Sequence, residues 1–204
     1  MCSVIEIHRW YLFWVNICTM TKKSSYVGKL IAAHPVNPRD SLDHAVILIV
    51  THTPQICIGI QINRPLYELD LGTVSGQSGI EYDGEDPVFY GGKINSNKIH
   101  VVHSLDWSSM TTVQITPDIG VTNDLSVLAA IAQGEGPFDF RACAGFWNWP
   151  TKELTQQLNG RRDPTHKWEL TPATLENVFD SDVELEQWRS VIEDCARDQV
   201  ANWL

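Results

Sequence analysis

The polar side chains that could do chemistry stand where predicted β-strands end. His52 follows an apolar run, and His103 ends another run that begins at Ile99. An imidazole titrates near neutral pH, so it can move a proton or bind a metal ion. A histidine at a strand end is also often a hydrogen-bonded structural residue. Each histidine is therefore interpreted either as a general base or as a structural residue. The two could converge on one rim of the sheet.

Asn63 and Arg64 form the most suggestive polar pair. Pro65 holds Arg64 in an extended conformation, and both side chains could face a cleft near Gly91 and Gly92. In the alternative interpretation, which we favour, Asn63 ties down the adjoining turn and Arg64 pairs with an acid.

Trp147 and Trp149 could form an aromatic surface for a ligand. Large aromatic residues beside a glycine such as Gly145 also commonly close the end of a barrel. The candidate binding set is therefore Asn63, Arg64, Gly91, Gly92, His52, His103, Trp147 and Trp149.

Sequence motifs of common enzymes are missing from the chain. It contains no G-x-S-x-G elbow, no G-x-x-x-x-G-K-[ST] phosphate loop, no G-x-G-x-x-G turn and no H-E-x-x-H pair. We therefore predict no catalytic residue, no metal site and no cofactor.

The elements that position these residues centre on a predicted hairpin. Ala45–Val50 is an uninterrupted apolar run typical of a buried strand. From Ile56 to Ile62, isoleucine alternates with small or polar residues, which predicts a second strand that ends near Asn63. Pro65 should prevent its continuation.

Further elements follow from periodicity and from turn residues. We predict strands at residues 28–33, 87–90, 99–103, 113–116, 140–144 and 168–170. Helices are predicted at 124–133, 150–158, 171–178 and 181–204. Thr122 or Asn123 should cap the helix at 124–133, and Ser181 with Glu184 has the spacing of a capping box. Residues 67–84 and 93–98 should be connections.

The charge balance argues against a nucleic-acid partner. Fifteen basic residues face 25 acidic ones, a net charge of −10, so direct nucleic-acid binding is not expected. The five cysteines include no C-x-x-C pair, which favours a reducing cytoplasm over a disulfide scaffold or a zinc site. No segment is predicted to span a membrane.

The chain divides into three predicted regions. Residues 1–27 form an N-terminal extension, interpreted either as disordered or as the product of a start upstream of Met20. Residues 28–180 form the main domain. Residues 181–204 form an acidic amphipathic helix that packs on the same domain.

Several motifs occur in the order typical of one bacterial family. They are Leu30–Pro35 as L-I-A-x-x-P, Gly59–Leu66 as G-x-x-x-N-[RK]-P-L, Pro87–Gly92 as P-V-x-x-G-G, Val101–Ser104 as V-x-H-[ST], Gly134–Pro137 as G-x-G-P, Gly145–Trp149 as G-[YF]-x-x-W and Trp168–Ala173 as W-x-x-x-P-A. Through these motifs the chain resembles the YqgE/AlgH family from about Gly28 to Phe179.

The resemblance implies an α+β fold whose bent, partly open, β-barrel-like sheet has helices packed outside. It implies no established reaction, although one branch carries the label of transcriptional regulator. We favour a non-enzymatic accessory or regulatory protein that binds an unknown protein partner or small molecule. The alternatives are a hydrolase-like enzyme that uses the strand-end histidines, and a transcriptional regulator that acts through a protein partner.

Overall fold

The computed structural model describes residues 25–35, 40–158, 168–180 and 183–201. The N-terminal extension up to residue 24 and Ser181 of the predicted capping box lie outside these residues.

The predicted central hairpin is present. β2 (Val46–His52) pairs antiparallel with β3 (Ile56–Gln61), with Leu48 opposite Ile60, and a bulge interrupts the ladder between Ile49 and Thr51. Thr53 organises the turn, because its hydroxyl oxygen accepts from the Ile56 amide at 3.0 Å and its own amide donates to the Ile56 carbonyl at 2.9 Å. Alternating isoleucines therefore do specify this hairpin.

The other strands build a ten-stranded sheet around this hairpin. They are β1 (Lys29–Ala33), β4 (Pro65–Asp70), β5 (Pro87–Tyr90), β6 (Ile94–Ser104), β7 (Val113–Gln114), β8 (Ile119–Thr122), β9 (Phe140–Pro150) and β10 (Trp168–Pro172). The main path runs in the order β10-β1-β2-β3-β9-β6-β8-β7. The sheet curls into an open half-barrel, which confirms the predicted α+β class.

β9 connects the two halves of the sheet. Its C-terminal part pairs with β3, where Trp149 lies opposite Cys57. Its N-terminal part pairs antiparallel with β6 on one side and parallel with β5 on the other. β4 joins through β5, so that residues 63–92 return to the sheet beside β9.

In the described residues, four α-helices and one π-helical turn cover the sheet. The helices are α1 (Leu71–Gly76), α2 (Leu125–Ala132), α3 (Thr151–Leu158) and α4 (Leu185–Ala201), and the π-helical turn is Glu176–Asp180. None of the helices in the described residues combines the length and apolar composition needed to cross a bilayer.

Three apolar clusters fill the space between these layers. The largest joins alternate residues of β1, β2 and β3 to Val191 and Cys195 of α4. A second lies around Trp147, Trp149 and Trp168 and includes Leu154 of α3. The third packs Val127, Leu128 and Ile131 of α2 against Val101 of β6 and Ala142 of β9. Helix α4 contacts β10, β1 and β2, so its apolar stripe faces the sheet.

Several element predictions were wrong in their bounds. β3 ends at Gln61, close to the predicted end near Asn63, but Pro65 then begins β4 inside a predicted connection, since the first residue of a strand need not donate to a ladder. β8 was missed, and β6 begins at Ile94 inside a predicted loop. β9 continues through Pro150 because Gly145 takes a φ of +77° within it. Asp124 caps α2, with its carboxylate accepting from the Ser126 amide at 2.8 Å.

Candidate functional site

Asn63 is a buried clamp between two parts of the chain. Its Oδ1 accepts from the Val46 amide at 2.9 Å, and its Nδ2 donates to the His44 carbonyl at 2.8 Å and to the Glu184 carbonyl at 3.0 Å. Its own carbonyl accepts from the Glu184 amide at 2.7 Å. The side chain therefore joins the entry of β2 to the start of α4.

The two residues that Asn63 holds have an unusual backbone. His44 and Glu184 take φ values of +52° and +60°, in the left-handed region that residues with a Cβ rarely occupy. Such conformations persist where surrounding contacts impose them, and they are frequent at binding sites. The amide of Asn63 supplies those contacts here.

Arg64 bonds to main-chain carbonyls. Its Nη1 donates to the Ser41 carbonyl at 2.8 Å and its Nη2 to the Asp43 carbonyl at 3.0 Å. We expected an acidic partner, but no carboxylate within the described ranges forms an ion pair with this guanidinium. The carbonyl oxygens fix the planar group in place while its charge is not cancelled by direct contact.

A shallow pocket of about 240 Å³ lies next to this clamp, and we call it the Arg64 pocket. It is lined by Asp43, His44, Asn63, Arg64, Glu184 and Leu185. His44 Nδ1 lies 2.9 Å from a carboxylate oxygen of Asp43, and the imidazole contacts the ring of Trp188 edge-on at 4.5 Å. The lining contains no hydroxyl or thiol, so no side-chain nucleophile of that kind stands beside the imidazole.

The rim of the Arg64 pocket is apolar and exposed. Tyr67 of β4 is 78% exposed and Leu185 is 39% exposed. The neighbouring carboxylate of Glu184 raises the pKa of Tyr67. One face therefore presents an aromatic ring, an aliphatic side chain and a fixed guanidinium together.

Gly91 and Gly92 lie near Arg64 but mark a crossing of main chains. The Tyr90 amide donates to the Arg64 carbonyl at 2.7 Å, and the Gly91 carbonyl accepts from the Gln61 amide at 2.9 Å. A Cβ on Gly91 would lie 2.2 Å from the Gly145 carbonyl oxygen. The glycines therefore allow strands to approach closely, and they do not open a cleft there.

Trp147 and Trp149 belong to the core. Their rings stack with centroids 6.3 Å apart, and Trp168 meets Trp149 edge-on at 6.1 Å. The Trp147 indole donates to Oε1 of Gln61 at 3.3 Å, and the ammonium of Lys93 lies 5.1 Å from its ring centroid. Both tryptophans are less than a tenth exposed, so little of either ring is available to a ligand.

His103 is buried, and its two hydrogen bonds are those of a neutral imidazole. Nδ1 lies 2.8 Å from the Ser104 carbonyl, which can only accept, so Nδ1 carries the proton. Nε2 then accepts from the Thr122 hydroxyl at 2.9 Å. Burial lowers the pKa of His103, and both ring nitrogens are occupied, so this residue is not available as a base.

His52 and His103 do not converge. Two strands, β3 and β9, separate β2 from β6 in the sheet. Cys57, which faces His52, lies opposite Trp149, whereas His103 lies opposite Phe140 at the other end of β9. His52 accepts from the Tyr26 amide at 3.0 Å and stacks on the Tyr26 ring. In the part of the chain that the structure describes, no three metal-binding side chains lie close enough together to hold one metal ion.

Arg141 is a polar residue that the sequence interpretation missed. It is buried in β9, where Nη1 donates to the Ile62 carbonyl and to Oε1 of Gln187, both at 2.6 Å, and its guanidinium lies 5.0 Å from the Phe89 ring centroid. Burial lowers its pKa to about 10. A single arginine inside an apolar predicted strand was the available signal.

A protein-family model described as AlgH-like (DUF179) matches residues 30–199. The chain belongs to the AlgH-like family. Its relatives include a UPF0301 protein of Thioalkalivibrio sulfidiphilus, 31% identical over 163 residues, covering 78% of this chain and 84% of the relative. A UPF0301 protein of Sphingopyxis alaskensis is 28% identical over 163 residues, covering 79% and 84% respectively.

Two solved structures share the fold of this AlgH-like chain. The solution structure of the AlgH protein from Pseudomonas aeruginosa superposes with a TM-score of 0.68 at 21% identity, covering 86% of this chain and 92% of that one. A crystal structure from Corynebacterium diphtheriae gives 0.63 at 15% identity, covering 86% and 90%. At these identities the likeness shows the fold alone, and membership of the AlgH-like family does not bring an established biochemical function.

Proposed function

We propose that this protein is a non-enzymatic accessory protein that docks a protein partner on the Arg64 pocket and its rim. The observation that carries the proposal is the exposed pair Tyr67 and Leu185 beside a guanidinium that forms no ion pair with any described carboxylate. Tyrosine and arginine are the residue types that dominate binding energy at protein interfaces.

Charge narrows the chemistry of such a partner. From Pro65 to Gly92 the chain has no lysine or arginine but contains six acids, Glu68, Asp70, Glu81, Asp83, Glu85 and Asp86. A partner that places an acidic group on Arg64 and basic groups along this acidic segment would complement the charge of each. Complementary charge of this kind accelerates association and excludes wrong partners.

The same features argue against the hydrolase alternative. The lining of the pocket offers an imidazole but no hydroxyl or thiol. Burial raises the pKa of Cys143 and Cys195 to about 12, which makes these thiols poor nucleophiles. Regulation of transcription stays an alternative that would act through the docked partner, and we place the protein in the cytoplasm on the strength of its cysteine pattern.

The test is quantitative cross-linking of the full chain in cells of its source organism, followed by mass spectrometry. The variant Tyr67→Ala combined with Leu185→Ser should reduce recovery of the partner by about tenfold, the loss expected for a hot-spot side chain. Val113→Ala is the control, because Val113 is 58% exposed and lies on β7, at the opposite end of the sheet path from β10, β1 and β2. Circular dichroism should show all three proteins folded.

Equal recovery by the double variant and the wild type would contradict the proposal. Turnover found in a broad substrate screen and abolished by His44→Gln would replace the docking function with a reaction. If the substrate screen gives the same result for His44→Gln and for the wild type, the docking function stands.

A further inference from the structure

One part of β6 has a free edge. Its last four residues, Val101–Ser104, pair with β8, while β9 pairs along the opposite side. In the described part of the chain no strand pairs with Asn97–His100 on the β8 side. The main chain turns away after Thr122, through Asn123 and Asp124, into α2. β8 therefore stops at this point, whereas β6 extends beyond it without a partner strand from the described residues on this side.

A cavity of about 350 Å³ lies along this free edge, and we call it the β6-edge cavity. Its walls come from the C-terminal end of α1, from β6 and from the β8–α2 connection. They are formed by Val74, Gln77, Ser78, Asn97, Lys98, Ile99, His100, Val101, Asn123, Asp124, Leu125 and Leu128. Val101 and Leu128 also belong to the third apolar cluster, so part of the cavity wall is the hydrophobic core itself.

Three carboxamides converge on the β6-edge cavity from three different elements. Gln77 follows α1, Asn97 lies on β6 and Asn123 follows β8, and none of them has a side-chain hydrogen bond to any residue that the structure describes. The buried Nε2 of His100, which also lines the cavity, makes no hydrogen bond in the described chain. Carboxamides both donate and accept, which suits a ligand that carries amide groups.

The carboxylate in the lining is already engaged. Asp124 caps α2 through the Ser126 amide at 2.8 Å and is also hydrogen-bonded to the hydroxyls of Ser126 and Thr111. The N-terminus of α2 is therefore occupied by its own cap and does not serve as an anion site. The ligand must be recognised by the carboxamides and by the edge of β6.

We propose that the β6-edge cavity binds a short extended peptide with small, uncharged side chains, which adds to β6 as an antiparallel strand in line with β8. An unpaired strand edge supplies alternating main-chain donors and acceptors, and neighbouring pockets select side chains. The cavity volume accommodates only a few residues. This site shares no lining residue with the Arg64 pocket and is independent of the docking function proposed above.

The probe is a blocked pentapeptide, acetyl-Thr-Val-Thr-Val-Thr-amide, titrated into the full ¹⁵N-labelled chain. Saturable shifts are expected in the amide signals of Asn97–His100 and in the side-chain NH₂ signals of Gln77, Asn97 and Asn123. An analogue N-methylated at both valines keeps the side chains but loses two donors. It should bind about 10- to 25-fold more weakly, because the two losses multiply and each lost hydrogen bond contributes a factor of about three to five.

Variants separate this site from nonspecific pairing. Asn97→Ala and Asn123→Ala should each weaken the pentapeptide by about fivefold, as expected for loss of one hydrogen bond. Gln114→Ala is the matched control, since it removes an exposed carboxamide from β7 at the outer edge of the same sheet. It should leave the affinity unchanged.

Three results would overturn the proposal. One is the absence of any shift at about 10 mM peptide, a concentration that would reveal even millimolar affinity. The second is equal binding of the N-methylated analogue. The third is a set of shifts confined to β4 or β7, which would place the peptide on a different edge.

Discussion

At the scale of single residues, the carboxamide of Asn63 satisfies three main-chain groups in a place that water hardly reaches. The residue is 3% exposed, and two of its partners belong to residues with left-handed backbone conformations. A side chain of another shape would leave a donor and two acceptors without partners. The same contacts set the position of the Arg64 pocket.

Asn63→Ala should lower the free energy of unfolding by about 3 kcal/mol, because buried groups that lose a hydrogen-bond partner cost about 1–3 kcal/mol each and the site can partly relax. Urea denaturation followed by fluorescence measures this change in the free energy of unfolding. Asn148→Ala, at an exposed position of β9, should change stability by less than about 0.5 kcal/mol. Similar losses in both variants would show that Asn63 is not a clamp.

His103 and His100 predict how stability depends on pH. Burial lowers the pKa of both imidazoles below the ordinary value of 6.5, so the folded protein binds fewer protons than the unfolded chain. Their contribution to the free energy of unfolding is fully present above pH 6.5. It is lost as the pH falls from 6.5 through the pKa of the folded state.

Between pH 7.5 and 5.5, wild-type stability should therefore fall, by at most about 1.4 kcal/mol per pH unit for each histidine. His103→Gln and His100→Gln should each flatten this dependence, measured by urea denaturation at several pH values. Parallel pH curves for the wild type and both variants would contradict the assignment.

The sequence predicted the location of polar residues better than their partners. Asn63 and Arg64 stood out because they lie between a strand and a proline, which is local information. The bonds of Arg64 to Ser41 and Asp43, and those of Arg141 to Ile62 and Gln187, depend on how distant segments meet. No spacing within the chain encodes such contacts.

At the scale of elements, β9 and the turn after β5 cross at a point that only glycine permits. Gly145 takes a φ of +77°, and a Cβ there would lie 2.5 Å from the Gly92 carbonyl oxygen and 2.7 Å from that of Ile94. Both neighbours are main-chain atoms, which cannot swing aside as a flexible side chain could. This crossing lets β9 continue from one half of the sheet to the other.

Gly145→Ala should therefore cost about 3 kcal/mol of folding stability, combining backbone strain with overpacking. Gly79→Ala is a matched control, because Gly79 has a φ of +75° but no heavy atom within 4 Å of the added methyl group. It should cost only about 1 kcal/mol. Thermal denaturation of both variants gives the difference, and equal costs would mean that the crossing is not tight.

Elements with local signals were predicted well, and those set by tertiary contacts were not. The β2–β3 hairpin and α2 follow from periodicity over a few residues. β9 was predicted to end at Ala144, because nothing local indicates that Gly145 continues a strand. β4 was missed because its pairing with β5 is interrupted between Pro65 and Asp70.

At the scale of the whole molecule, the net charge is −10, and the segment from Pro65 to Gly92 contains acids but no lysine or arginine. Duplex DNA repels such a surface, and nonspecific binding depends on cations that release counterions from phosphate. Fluorescence anisotropy of a labelled DNA duplex should show no binding at about 20 mM salt and about 50 μM protein. Saturable binding that weakens with salt would instead support direct action on DNA.

The pairing of β1 with β10 has a consequence for how the chain is made. Residues 29–33 and 168–172 are neighbours in the sheet although most of the domain separates them in sequence. A ribosome therefore releases the first strand long before its outer neighbour exists, and β9, which closes the ladder to β3, also emerges late. Nascent chains should stay open to chaperones and proteases until synthesis passes Pro172, since distant strand pairing delays folding.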